Sequence, residues 1–189
     1  MRNKELDRIV KLALLAAISL ILVFAFKFPV FPAVAFLEYD FADVPILIGT
    51  FLFGPAAGLA LTAVVSVLQA VLVSAASGWI GALMHFISTG AMVLAAGLVY
   101  KRLHTLRGAI LALLLGAFTM TALMVPLNLL LTPLYFGGSY AAAQKTVWGF
   151  MPYILAFNAI KAFGNSLITF VLYKSVSKVL KIDFIHTKK

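Results

Sequence analysis

The sequence predicts an all-α integral membrane protein, a single domain over residues 1–189 forming a bundle of six transmembrane helices with both termini cytoplasmic. Three observations carry that expectation. Hydrophobic residues make up 63% of the chain and charged residues only 11%, a balance that keeps no soluble domain of this size in water. The stretch from Val44 to Tyr100 contains no Asp, Glu, Lys or Arg. One crossing of the hydrocarbon core takes about 20 helical residues, so this stretch alone supplies two to three. Finally, 12 of the 15 Lys and Arg residues fall in three clusters that flank apolar segments, as the positive-inside bias requires.

The first segment, Leu12 to Phe26, follows Arg2, Lys4, Arg8 and Lys11 and reads as an uncleaved first helix with its N-terminus inside. Ala33-Val34-Ala35 resembles a signal cleavage site, but Pro29 and Pro32 crowd it. Residues 27–43 hold Glu38, Asp40 and Asp43 among prolines that prevent a continuous helix, and read as an outer loop. Val44 to Phe53 and Ala56 to Ser74 come next, parted by Gly54-Pro55, where Gly permits the turn and Pro suits a helix start. The first of the two is short for a span: it tilts, thins the membrane, extends back into the loop, or forms a re-entrant hairpin.

A fourth segment, Trp79 to Tyr100, follows the breaker-rich residues 74–78 and ends at Lys101, Arg102, His104 and Arg107, a cytoplasmic cluster. An outer loop near residue 30 and an inner one near residue 104 require an odd number of crossings, and three fits. The fifth segment runs from about Gly108 to Leu131, with Pro126 a kink and Pro133 a terminator. The sixth, Val147 to Tyr173, leads into Lys174, Lys178, Lys181, Lys188 and Lys189.

Lys161 interrupts an otherwise uncharged run from Thr146 to Tyr173. A cation at that depth costs several kcal/mol unless it snorkels or finds acceptors, which makes it either a snorkelling side chain or a functional one. Asn158 and Asn165 share its helix face, and Asn128 lies in the outer half of the fifth segment, one turn before Thr132. These amides either bond across helices or face a ligand pocket. An amide offers both an acceptor and donors, which suits a flat ring edged with alternating C=O and N–H groups. His85 stands without a nearby carboxylate and reads as a core hydrogen-bonding residue, while Gln69 and the hydroxyls of Thr62, Ser66 and Thr121 are expected on helix carbonyls. Ala13/Ala17 and Gly54/Gly58 are small-xxx-small pairs that permit close helix contact.

Several function classes drop out. With every Asp and Glu outside the expected spans, no acid-base dyad or His-Glu metal cluster forms at membrane depth, so neither catalytic nor metal-ligating residues are expected. No glycine-rich loop ends in Lys-Ser or Lys-Thr, so ATP energy must come from a partner. The net charge of +9 lies in clusters without interleaved aromatics, which argues against nucleic acid. Cysteine is absent, which removes disulfides and thiolate chemistry. No channel filter motif is present.

Phe28-Pro29-Val30-Phe31-Pro32, Tyr39-Asp40-Phe41-Ala42-Asp43-Val44-Pro45, Phe53-Gly54-Pro55-Ala56-Ala57-Gly58 and Phe157-Asn158-Ala159-Ile160-Lys161 together give the chain a family likeness. It resembles the substrate-binding S components of energy-coupling factor (ECF) vitamin transporters, the riboflavin-specific ones above all. The resemblance implies a six-helix bundle of the cell membrane with a vitamin pocket near the outer surface, capped by the first loop. It implies that Asn128, Asn158 and Lys161 hydrogen-bond the isoalloxazine ring of riboflavin, the transported ligand and not a cofactor, and that Leu37 and Tyr39 serve the cap. It further implies that Ala13 and Ala17 dock on a transmembrane coupling subunit driven by two ATPase subunits. Two other readings stand beside this one: an S component for a different vitamin, and a structural or regulatory subunit in which Lys161 pairs with a partner's carboxylate.

Overall fold

A computed structural model describes residues 4–73, 78–136 and 138–179, with side chains through residue 176 apart from the gaps. Arg2, the breaker residues 74–77 and the tail residues Lys181, Lys188 and Lys189 lie outside the described residues, as does the side chain of Lys178. Seven α-helices form among the described residues: α1 (Lys4–Ala25), α2 (Asp43–Phe53), α3 (Pro55–Leu72), α4 (Gly78–Arg102), α5 (Leu106–Phe136), α6 (Tyr140–Gly149) and α7 (Met151–Val179). Between α1 and α2 lie β1 (Phe28–Pro29), a 3-10 turn (Pro32–Val34) and β2 (Glu38–Tyr39), the strands antiparallel with Phe28 opposite Tyr39. Five helices, α1, α3, α4, α5 and α7, are long and apolar enough to cross a bilayer. They turn large apolar side chains such as Phe24, Phe118 and Leu167 outward, as lipid contact allows.

The short α2 resolves the open question about residues 44–53. Its 11 residues reach only about 16 Å, and every one from Asp43 to Leu52 is buried. A helix apolar on all faces belongs inside a bundle, and α2 packs against α1, α3, α4 and α7. At its far end Arg8 reaches the Phe53 carbonyl (3.4 Å), and Gly54 turns the chain with φ of 92°. Gly58 then lies so close to Thr50 that an added Cβ would sit 2.0 Å from its Oγ1, which is how α2 and α3 close up on each other. The loop between α1 and α2 folds inward: Ala42 and Val34 are fully buried, and Ser19 of α1 donates to the Ala42 carbonyl at 3.0 Å.

Two expectations about residues 126–150 need correction. Pro126 and Pro133 both lie inside α5, which continues to Phe136, so Pro133 does not terminate the helix. A proline inside a helix leaves the carbonyl four residues back without its N–H partner. For Pro133 that carbonyl is Leu129, and Gln144 Nε2 and the Tyr140 hydroxyl both reach it at 3.4 Å, Tyr140 also meeting the Leu130 carbonyl at 3.2 Å. The donors come from α6, a helix the sequence reading missed although Ala141-Ala142-Ala143-Gln144 is a strong helix former. The sixth expected segment therefore starts too early: Val147 belongs to α6, and the chain breaks at Phe150 before α7 begins with Pro152 as its second residue.

Candidate functional site

The loop after β2 carries two carboxylates into the protein. Asp40 is 2% exposed and Asp43 not at all. Asp40 Oδ1 accepts from the Ala42 amide (3.0 Å), a local turn that sets the chain for α2, and Asp43 falls in the first turn of α2, where the helix dipole favours an anion. Lys161 Nζ donates to Asp40 Oδ2 at 2.7 Å. Asn165, one turn further along α7, donates to both the Asp40 carbonyl and Asp43 Oδ2 (3.1 Å each) and accepts from the Tyr39 hydroxyl at 2.9 Å. Asp43 Oδ1 accepts from Thr89 (2.9 Å) and faces His85 Nε2 at 3.3 Å, and His85 Nδ1 meets Ser66 at 2.7 Å.

This network corrects two expectations. Asp40 and Asp43 do not stay in an outer loop, and His85 does have a carboxylate neighbour. Lys161 lies about 15 Å along α7 from Met151, so its partner Asp40 sits well below the helix ends. Sequence spacing hid this because a proline-rich acidic stretch reads as solvated until the bundle leaves room for it. The counter-charge of Lys161 comes from its own chain, which leaves no need for a partner's carboxylate.

Beside the network lies a cavity of about 450 Å³, within the range of small-molecule sites. Lys161, Asn158 and Asn128 line it together, and Leu37 closes it from the loop with Phe36. Tyr39 does not line it: that side chain stacks on Phe28, seats its hydroxyl against Asn165, and holds the loop to α7. Met84, Met120, Met124 and Phe157 supply an apolar middle suited to a flat aromatic ring. Lys27 and Glu38, ion-paired at 2.5 Å, also line the cavity.

The hydrogen-bonding capacity left in this wall is specific. Asn128 Nδ2 donates to the Met124 carbonyl (2.8 Å) and its Oδ1 accepts from Thr132 (2.9 Å), which leaves one N–H. Asn158 Nδ2 likewise donates to Ile154 at 2.8 Å, but its buried Oδ1 has no partner among the described residues. Lys161 has two N–H donors beyond the one on Asp40. Asn128, Asn158 and Lys161 thus present several donors and one unpartnered acceptor. Thr62, Ser66 and Thr121 bond helix carbonyls as expected, at 2.7–2.9 Å. Gln69 lines the cavity, and its buried Oε1 has no partner among the described residues.

Ala13 and Ala17 lie on the exposed face of α1, opposite Leu15, Ala16 and Ser19, which face the core. They are not near the cavity. Gly54 and Gly58, by contrast, serve the α2–α3 junction.

A membrane helix bundle that encloses a polar-edged, apolar-centred cavity is a multi-pass binding protein for a small molecule. The chain belongs to the family of ECF transporter substrate-specific components, whose sequence model matches residues 7–173. The chain is similar to the riboflavin transporter FmnP of Bacillus subtilis, 34% identical over 134 residues covering 69% of this chain and 70% of that one. It is also similar to the riboflavin transporter RibU of Staphylococcus aureus, 30% identical over 178 residues and 92% of each chain. A solved structure of the S component of a bacterial ECF transporter superposes with a TM-score of 0.79 at 28% identity, covering 94% of this chain and 99% of that one.

Proposed function

We propose that this chain captures riboflavin at the outer face of the plasma membrane and passes it inward together with a transmembrane coupling subunit and two ATPase subunits. The observation that carries the reading is the cavity wall of Asn128, Asn158 and Lys161. An isoalloxazine ring presents carbonyl and ring-nitrogen acceptors around a single N–H. The wall offers the converse, several donors around the one open acceptor of Asn158. The relatives named riboflavin transporters support the same ligand. A strongly anionic vitamin would call for cations not already neutralised, and both lysines that line the cavity are ion-paired, Lys161 with Asp40 and Lys27 with Glu38.

We infer six crossings, α1 to α5 and α7, with the loop completing the α2 crossing and α6 lying on the outer face; the five helices long and apolar enough to span and the buried apolar α2 support this reading. The basic residues at the start of α1, the end of α4 and the start of α5 support a cytoplasmic location for that end and for both termini. The cavity then faces outward, and Ala13 and Ala17 present a small-residue patch to the coupling subunit. Absorbance of detergent-purified protein between 350 and 500 nm, with quenching of riboflavin fluorescence on titration, tests the reading. Colourless protein that leaves riboflavin fluorescence unchanged refutes it.

A further inference from the structure

The ring wall does not account for every unmet group in the cavity. Two buried acceptors lack partners among the described residues, Asn158 Oδ1 and Gln69 Oε1, and both residues line the same cavity. They come from different elements, α7 and α3. A neutral isoalloxazine carries only one N–H, and Asn158, beside the donors Lys161 and Asn128, is placed to take it. The second acceptor needs a donor from another part of the ligand. Buried acceptors are stabilised when a hydrogen bond replaces the water they gave up, so Gln69 favours a ligand that brings one.

We propose that Gln69 binds a hydroxyl of the ligand's polyhydroxyl side chain and thereby selects flavins that carry that chain, an inference that rests on the flavin reading above. Depth agrees with this. Gln69 lies within one turn of the end of α3, whereas Asn158 and Lys161 lie about 10–15 Å along α7 from Met151. The ring sits deep and the polyol shallow.

The test compares riboflavin with lumiflavin, which has the same ring with a methyl group in place of the polyol, by fluorescence titration. Unsubstituted protein binds riboflavin at least tenfold more tightly than lumiflavin; equal affinities overturn the proposal without any variant. Gln69→Met, of similar length but without an acceptor, weakens riboflavin about tenfold, or about 1.4 kcal/mol, and leaves lumiflavin within about twofold. Retained lumiflavin binding also reports that the variant is folded. Equal weakening of both ligands assigns Gln69 to the ring or to folding and overturns the polyol role, as does no weakening of either. Unsubstituted protein that binds neither flavin refutes the flavin reading itself.

Discussion

Removing the Asp40 carboxylate isolates the best-defined charge in the protein. Lys161 and Asp40 are 2.7 Å apart, with only 9% and 3% of their side chains exposed. Solvent screening that makes surface pairs nearly worthless does not apply at that burial. Asp40→Ala leaves the ammonium without its ion-pair partner and also removes the acceptor for the Ala42 amide, 3.0 Å away, just where α2 begins. Losing one partner of a buried pair costs about 3–5 kcal/mol. For a chain of this length that corresponds to a fall of about 6–20 °C in unfolding midpoint. Thermal unfolding in detergent, followed by circular dichroism, measures it.

A double variant tells a broken pair from general damage. Asp40→Leu with Lys161→Met removes both charges and leaves none stranded, so at least half of the lost stability returns, while riboflavin affinity does not because Lys161 is gone. A single Asp40→Ala variant that unfolds within about 2 °C of the parent refutes the claim that the loop is held at depth by this pair.

Lys161→Ala and Asn158→Ala each weaken riboflavin at least tenfold in fluorescence titration, about 1.4 kcal/mol, and unchanged affinity in both returns these residues to a structural role. Ala13→Trp or Ala17→Trp abolishes vitamin uptake by cells expressing the full transporter while purified protein keeps its riboflavin affinity; loss of binding as well assigns the pair to folding. Replacing Tyr140 with Phe and Gln144 with Leu removes both donors from the Leu129 carbonyl and costs about 1 kcal/mol, seen as a fall of about 2–4 °C. Adding Pro133→Ala supplies the missing N–H and reverses the fall; no recovery shows that α6 has another role.

The membrane class, the five long helices and the candidates Lys161, Asn128 and Asn158 were legible in the sequence. Each is a local fact: length and apolarity decide whether a segment enters lipid, and a lone cation in a span stands out against its neighbours. Only the tertiary structure decided where the acidic loop goes. Asp40 and Asp43 read as solvated residues because the sequence shows that residues 44–53 are short for a span but not which of the ways of accommodating that the packed bundle takes; in the structure the loop folds in and buries both carboxylates. The fate of Pro133 was set in the same way. Its orphaned carbonyl is met by side chains of α6, a helix whose own sequence gives no sign of what it covers. Gln69 was visible as a polar residue in a span, but whether its acceptor met a side-chain donor or a cavity depended on which face of α3 the other helices left open. Burial and pairing are properties of the packed bundle, and a linear pattern carries them only where one helix supplies both partners.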